Sequence, residues 1–199
     1  MPKKSKFIEM RENEREARKS ILIDTAIELF GKKPYHEVGM RTIAEAAGVS
    51  PASIYRYFPS REDLLVEALS RDLEDVAPMI AERLEEGDLD LEVFAVAAID
   101  YLIENESTFQ MMCHFMIRGE MNKRALDKFN ELMRTMLEMI QDNLKCPDRP
   151  DIDRFFAHAF TASIFGIIMT YRNYPGRSKE ERRHYMHKIA AMLCKKMLA

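Results

Sequence analysis

Residues 39–65 read GMRTIAEAAGVSPASIYRYFPSREDLL. Ile43, Ala44 and Ala47 fall on one side of a short helix, which runs into a Gly-Val-Ser turn at Gly48 to Ser50. A second short helix opens on Pro51, a favoured first helical position, with Ser50 as its natural cap. Pro59 ends it, because the proline ring excludes helical geometry at Phe58. Ser60 caps a further helix whose first turn carries Glu62 and Asp63, where the helix dipole favours acidic side chains. Two short helices about a glycine-containing turn form a helix-turn-helix, and its second helix enters the DNA major groove. The pattern predicts a DNA-binding head.

Ile54 and Phe58, four apart, are expected to face a small core of Ile27, Phe30, Ile43, Ala44, Ala47 and Val49. The other face then carries Ala52, Ser53, Tyr55, Arg56 and Tyr57. Tyr55 and Tyr57 are only two apart and cannot share one buried face of a helix, so at least one points out. Arg56 suits guanine O6/N7 or a phosphate, and the tyrosine hydroxyls suit phosphate oxygens. Arg41 and Thr42 open the first short helix, where backbone N–H groups attract phosphate, and Arg61 repeats that arrangement in the helix after Ser60.

Outward from this stretch, helical periodicity dominates. Ile23, Ala26, Ile27 and Phe30 give one face of a helix from about Glu12 to Lys32, stopped by Gly31 and Pro34. Gly39 serves as N-cap of the next helix. Leu65, Leu69, Leu73, Val76, Ile80 and Leu84 continue one stripe, with a kink expected at Pro78. Five more helical segments follow, at about 90–105, 107–118, 121–144, 151–174 and 178–198. The expected fold is all-α with about nine helices: a three-helix DNA-binding domain at 1–62 and a helical ligand-binding and dimerisation domain at 63–199.

Composition fits that fold and excludes several classes. Hydrophobic residues make up 47% and charged residues 32% of 199 residues, as in ordinary globular proteins. No apolar run of about 18 residues exists, so no membrane span is expected. The basic start, MPKKSKFIEMRENEREARKS, lacks the apolar segment of a signal peptide. Three widely spaced cysteines form neither a disulfide framework nor a zinc pattern, and a reducing cytoplasm fits best. Residues 1–61 hold 12 Lys+Arg against 8 Asp+Glu, whereas 62–199 hold 18 against 25. A mildly basic end on an acidic body suits a chain that presents one end to phosphates. Lys3, Lys4, Lys6 and Arg11 form a basic arm, expected to be a solvated tail, with reach into a minor groove as the alternative.

In the body, methionine is frequent (15), and FQMMCHFMI at 109–117 is the densest patch. Flexible, polarizable methionines suit a pocket for apolar ligands. Candidate lining residues are Phe94, Tyr101, Met112, Phe115, Met116, Phe165 and Met169, with His114 as a polar contact. Segment 151–174 carries a stripe of small residues (Ala159, Ala162, Ser163, Gly166, Thr170) that lets another helix approach closely. With Ile189 and Leu193 of the last helix it forms the candidate dimer interface. His184 and His187 lack a third ligand nearby, so no metal is expected. Cys113 and His114 point about 100° apart on a helix, and no oriented base or oxyanion site accompanies them. No cofactor and no catalysis are expected.

The run I43-A44-x-x-A47-G48-V49-S50-x-x-x-I54-Y55-x-Y57-F58-x-S60-R61-x-x-L64-L65 resembles the amino-terminal signature of the TetR family of bacterial transcriptional regulators, over roughly residues 14–66. The resemblance implies an all-α homodimer, with a three-helix DNA-binding domain on a variable ligand-binding domain and a dimer built from the last two helices. It carries DNA contacts to Arg41, Thr42, Pro51, Ala52, Ser53, Tyr55, Arg56, Tyr57 and Arg61. Gly39 departs from the hydroxyl residue that often caps the second helix. The expected function is a ligand-responsive regulator: a repressor that binds a palindromic double-stranded operator as a dimer and is released by a small apolar effector. The competing reading is an all-α small-molecule-binding protein or enzyme with an incidental helix-turn-helix.

Overall fold

The computed structural model describes residues 6–74, 91–118, 121–143 and 154–197. Among these, nine α-helices and one 3-10 turn account for the regular structure. They are α1 (Lys6–Lys32), the 3-10 turn Tyr35–Glu37, α2 (Met40–Ala46), α3 (Pro51–Ile54), α4 (Arg61–Glu74), α5 (Leu91–Glu104), α6 (Glu106–Arg118), α7 (Lys123–Asn143), α8 (Arg154–Tyr171) and α9 (Lys179–Met197). The all-α expectation and the helix count hold. Pro78, with Val76, Ile80 and Leu84, lies outside the described residues.

The chain divides into two compact units, residues 1–72 with 106–128, and residues 73–105 with 129–199. In the first unit α1 buries Leu22, Ile23, Ala26 and Phe30 along one stripe, while everything from Lys6 to Arg18 stays exposed. Among the described residues the helix thus already includes Lys6 and Arg11, ahead of the start expected near Glu12, while Lys3 and Lys4 of the basic arm lie outside the described residues. An Arg18–Glu14 pair at 2.5 Å and a Lys32–Glu28 pair, each four residues apart, support its exposed faces. α6 packs against α1 and buries Phe109, Met111, Met112 and Phe115. Thr108, fully buried, donates to Asp72 Oδ2 at 2.6 Å, so this polar side chain enters the core with a charged acceptor.

The second unit forms around α5, α8 and α9. α5 buries Leu91, Phe94, Ala95, Ile99 and Leu102, and α8 buries Ala157, Phe160, Ile164, Ile167 and Ile168. α9 packs against both through Met186, Ala190 and Cys194. The Phe94 and Phe160 rings meet at 5.7 Å between centroids. At the rim, Arg183 Nε and His187 Nε2 both lie 2.7 Å from Asp100 Oδ1. Burial pushes the Asp100 carboxyl up, yet hydrogen bonds from Arg183 and His187 outweigh it and hold the group below its ordinary value.

Candidate nucleic-acid interface

The turn between α2 and α3 is fixed by backbone hydrogen bonds. Gly48 donates to Glu45 O at 3.2 Å and Val49 donates to Ala44 O at 2.9 Å, the paired bonds of a Schellman termination. That motif needs a left-handed residue after the last helical position, and Gly48 supplies it with φ of 68°. Gly39 caps α2 in extended geometry without a side-chain bond, as its lack of a side chain requires. Ser50 caps α3: Ser53 N–H donates to its Oγ at 3.2 Å, and Pro51 occupies the first turn.

α3 is shorter than the sequence suggests. α-Helical geometry stops at Ile54, and Arg56 and Tyr57 donate to Ser53 O and Ile54 O in the tighter i→i−3 pattern. This tightening precedes the bend at Pro59. Ile54 and Phe58 are fully buried, with Phe30, Ile43 and Ala44. Ile27 and Ala47 are half-buried, and Val49 is 37% exposed rather than in the core. Val49 follows the left-handed glycine, where the chain turns away from the helix it has just left.

The outward set is largely open. Tyr55 is 52% exposed, Pro51, Ala52 and Arg56 are exposed, and Ser53 and Tyr57 are half-buried. The Ser53 hydroxyl lies 2.8 Å from Ser50 Oγ. On α2, Arg41 is exposed and its Nε donates to Glu45 Oε1 at 2.9 Å, while half-buried Thr42 reaches Glu37 O at 3.5 Å. Arg61 is partly buried: its guanidinium carbon sits 3.9 Å from the Tyr35 ring centre, and the group donates to the Tyr35 carbonyl oxygen. In this arrangement its guanidinium is directed at Tyr35.

The beginning of α4 is held by an interlocked polar group. Asp63 N–H donates to Ser60 Oγ at 3.1 Å, and Ser60 Oγ donates to Asp63 Oδ2 at 2.8 Å. Asn122 Nδ2 then reaches Ser60 Oγ at 2.8 Å, and Arg124 lies 3.5 Å from Asp63. One turn further, Glu67 pairs with Lys19 at 3.0 Å and with Lys128. Burial pushes the Glu67 carboxyl up, but the bonds from Lys128 and Lys19 prevail and keep it below its ordinary value.

Sequence reasoning named Arg11, Arg56 and Tyr57 separately and passed over Glu14, Arg15 and Arg18, which the structure brings together with them. Arg11, Glu14, Arg15 and Arg18 of α1, with Arg56 and Tyr57, line a cleft of about 370 Å³ beside the end of α3. The signal was the i, i+4, i+7 spacing of the three arginines, masked by the glutamates interleaved in RENEREARKS.

The candidate ligand residues fall in both units. Met112 and Phe115 are buried, His114 is half-buried and Met116 is exposed, all on α6 in the first unit. Phe94 is buried, Tyr101 and Phe165 are half-buried and Met169 is exposed, all in the second. His114 stacks on Tyr35, with centroids 3.7 Å apart. Of the dimer candidates, Ala159, Ala162 and Gly166 are exposed on α8, and Ser163, Ile189 and Leu193 are half-buried. His184 is exposed, and among the described residues no group of three or more His, Cys, Asp or Glu side chains is placed to hold a metal. No described helix is long and apolar enough to cross a membrane.

Residues 22–68 match the family model described as bacterial regulatory proteins, tetR family. The HTH-type transcriptional repressor KstR of Mycolicibacterium smegmatis is 46% identical over 65 residues, which is 33% of this chain and 31% of that protein. The fatty acid metabolism regulator protein of Bacillus subtilis is 24% identical over 121 residues, 60% of this chain and 62% of the relative. The first curated repressors it matches align with this chain over only about three tenths of their length. The crystal structure of the B. subtilis regulator FadR in complex with stearoyl-CoA has the same fold, with a TM-score of 0.67 over 90% of this chain and 97% of that one, at 17% identity. Helix-turn-helix geometry and sequence therefore agree over residues 22–68, where this chain is similar to the tetR family of bacterial regulatory proteins.

Proposed function

We propose that this chain is a ligand-responsive transcriptional repressor, which binds a near-palindromic operator as a homodimer and releases it when a small, largely apolar effector binds. The observation that carries the reading is the division of residues 51–58: Ile54 and Phe58 are buried while Tyr55 and Arg56 stand exposed beside a capped, glycine-turned α2. Such a segment presents side chains to base edges and phosphates without disturbing its own core. The DNA-facing set is Arg41, Thr42, Pro51, Ala52, Ser53, Tyr55, Arg56 and Tyr57.

Dimerisation is supported by α8. Phe155 is 80% exposed and Met169 53% exposed, and Ala159, Ala162 and Gly166 form an open stripe of small residues between them. A Cβ built on Gly166 meets nothing within 4 Å, so the fold of one chain does not demand glycine there. A second helix lying close along the stripe does. An apolar effector is favoured by the methionine- and phenylalanine-rich α6 and α8, and the solved FadR holds stearoyl-CoA, whose tail is a long apolar chain. The effector must prefer one of two dimer geometries, so operator DNA weakens effector binding by the same factor as effector weakens DNA binding.

A gel shift against DNA upstream of the protein's own gene, with sedimentation velocity in solution, tests the reading. A sequence-preferring complex from a dimer supports it; a monomer indifferent to duplex DNA favours a small-molecule carrier or enzyme instead.

A further inference from the structure

The cleft between α1 and the end of α3 is strongly cationic. Arg11, Arg15, Arg18 and Arg56 line it with one carboxylate, Glu14, and the Tyr57 side chain. At about 100° per residue, positions 11, 14, 15 and 18 share about 100° of the helix circumference, and Glu9, Glu12 and Glu16 fall together on another side. The arginines are thus segregated onto the face beside α3. The row spans about 10 Å along the helix axis. All four arginines are exposed at their residues, so their charge is available to a ligand. Arg18 donates to Glu14 at 2.5 Å and lines the cleft together with Tyr57, which ties the row to the end of the reading segment.

Four guanidinium groups around one concavity repel one another, and Glu14 offsets only one of them. A site of this kind is complementary to a ligand with several anionic oxygens, and guanidinium forks match phosphate in a bidentate manner. We infer that this cleft is a phosphate-binding site in which Arg11, Arg15 and Arg18 of α1 grip the nucleic-acid backbone next to the segment read by α3. The inference rests on the DNA-binding reading above and extends the interface along α1 ahead of residues 22–68, the stretch that the family model matches. Arg56, shared between the cleft and the reading segment, then serves register on the backbone together with any base contact. Glu14 occupies Arg18 in the free protein and is displaced by the incoming phosphate. The same oxygens could come from a free phosphorylated molecule, and the experiment separates the two sources.

Affinity for a mixed-sequence duplex is measured by fluorescence anisotropy between about 50 and 200 mM salt, for the full chain and for its Arg11→Ala/Arg15→Ala/Arg18→Ala variant. Phosphate contacts carry no sequence information, so the operator is not needed. The variant is expected to lose about tenfold or more in affinity, and its log K against log salt slope is expected to flatten by about 0.9 for each contact removed. Glu14→Gln, which leaves the arginines intact, is expected to bind several-fold tighter. In parallel, inorganic pyrophosphate is titrated against the arginine Nε–H resonances of both proteins. Unchanged duplex affinity with a pyrophosphate response lost in the variant would assign the site to a free phosphate ligand and overturn the backbone role. Unchanged duplex affinity and no pyrophosphate response would overturn the site altogether. If the unmodified chain binds no duplex, the regulator reading itself fails, and the pyrophosphate titration alone decides the cleft.

Discussion

The His114 imidazole lies flat against the Tyr35 ring, with centroids 3.7 Å apart and planes 23° from parallel. The Arg61 guanidinium sits 3.9 Å from the same ring centre. Two groups this close to one centre cannot share a face, so Tyr35 is clasped between them. One aromatic side chain of the 3-10 turn thereby joins α6 to the start of α4, within a single compact unit.

That clasp makes a stability prediction. Aromatic pairs contribute about 0.5–1.5 kcal/mol beyond their buried area. His114→Ala is expected to destabilise the first unit by about 1 kcal/mol in urea unfolding, while His114→Phe restores most of it. Equal midpoints for the alanine variant and the parent would remove the stacking from the energetics.

Gly48 offers a backbone test. Its φ of 68° is left-handed, and an added Cβ meets nothing within 4 Å. Gly48→Ala is therefore expected to cost about 1–2 kcal/mol through backbone strain alone. Gly48→Asn should cost less, because asparagine tolerates that region. Thermal unfolding of both variants checks the order; alanine as stable as glycine contradicts it.

The pH dependence follows from Glu67. Its folded-state value is lowered by Lys128 and Lys19 against the opposing effect of burial. A lowered carboxylate contributes stability that is complete above its unfolded value and is lost as pH falls through the folded one. Acid should therefore weaken the first unit, and Glu67→Gln should be less stable at neutral pH yet show a shallower loss on acidification. Urea midpoints across that range give the comparison, and parallel curves would mean that Glu67 is not the group responsible. Asp100, lowered by Arg183 and His187, makes the same prediction for the second unit.

The exposed stripe on α8 predicts the outcome of a single charge. Ala162→Arg places a guanidinium where a partner helix would approach, and burying an unpaired charge there costs several kcal/mol. The variant is expected to sediment as a monomer with unchanged helix content. A dimer that survives the substitution would place the interface elsewhere on the chain.

Much of this architecture was legible in the residues alone. Helix ends were readable because their determinants are local: Ser50 and Pro51 open α3, Ser60 opens α4, and Gly48 closes α2. The division of Ile54 and Phe58 from Tyr55 and Arg56 followed from spacing in the same way. What stayed hidden depends on partners distant in sequence. Nothing near Tyr35 announces that His114 will lie on it, and nothing near Ser60 announces Asn122. The start of α1 at Lys6 was missed because its first turns bury nothing, so no apolar periodicity marks them. Arg15 and Arg18 lie within the helix expected from about Glu12, but interleaved glutamates mask them, and their alignment with Arg11 becomes visible only once that helix is known to extend.

The brevity of α3 sets a limit on how much one head can know. Only four residues are α-helical before the chain tightens, so few side chains reach base edges. A good bidentate base contact discriminates by about 1–3 kcal/mol, while a genome offers about a million or more competing sites. One such segment carries too little information to single out an address among them. Doubling the reader doubles the length of the word it recognises, so the pairing of two chains proposed above would serve addressing as much as architecture.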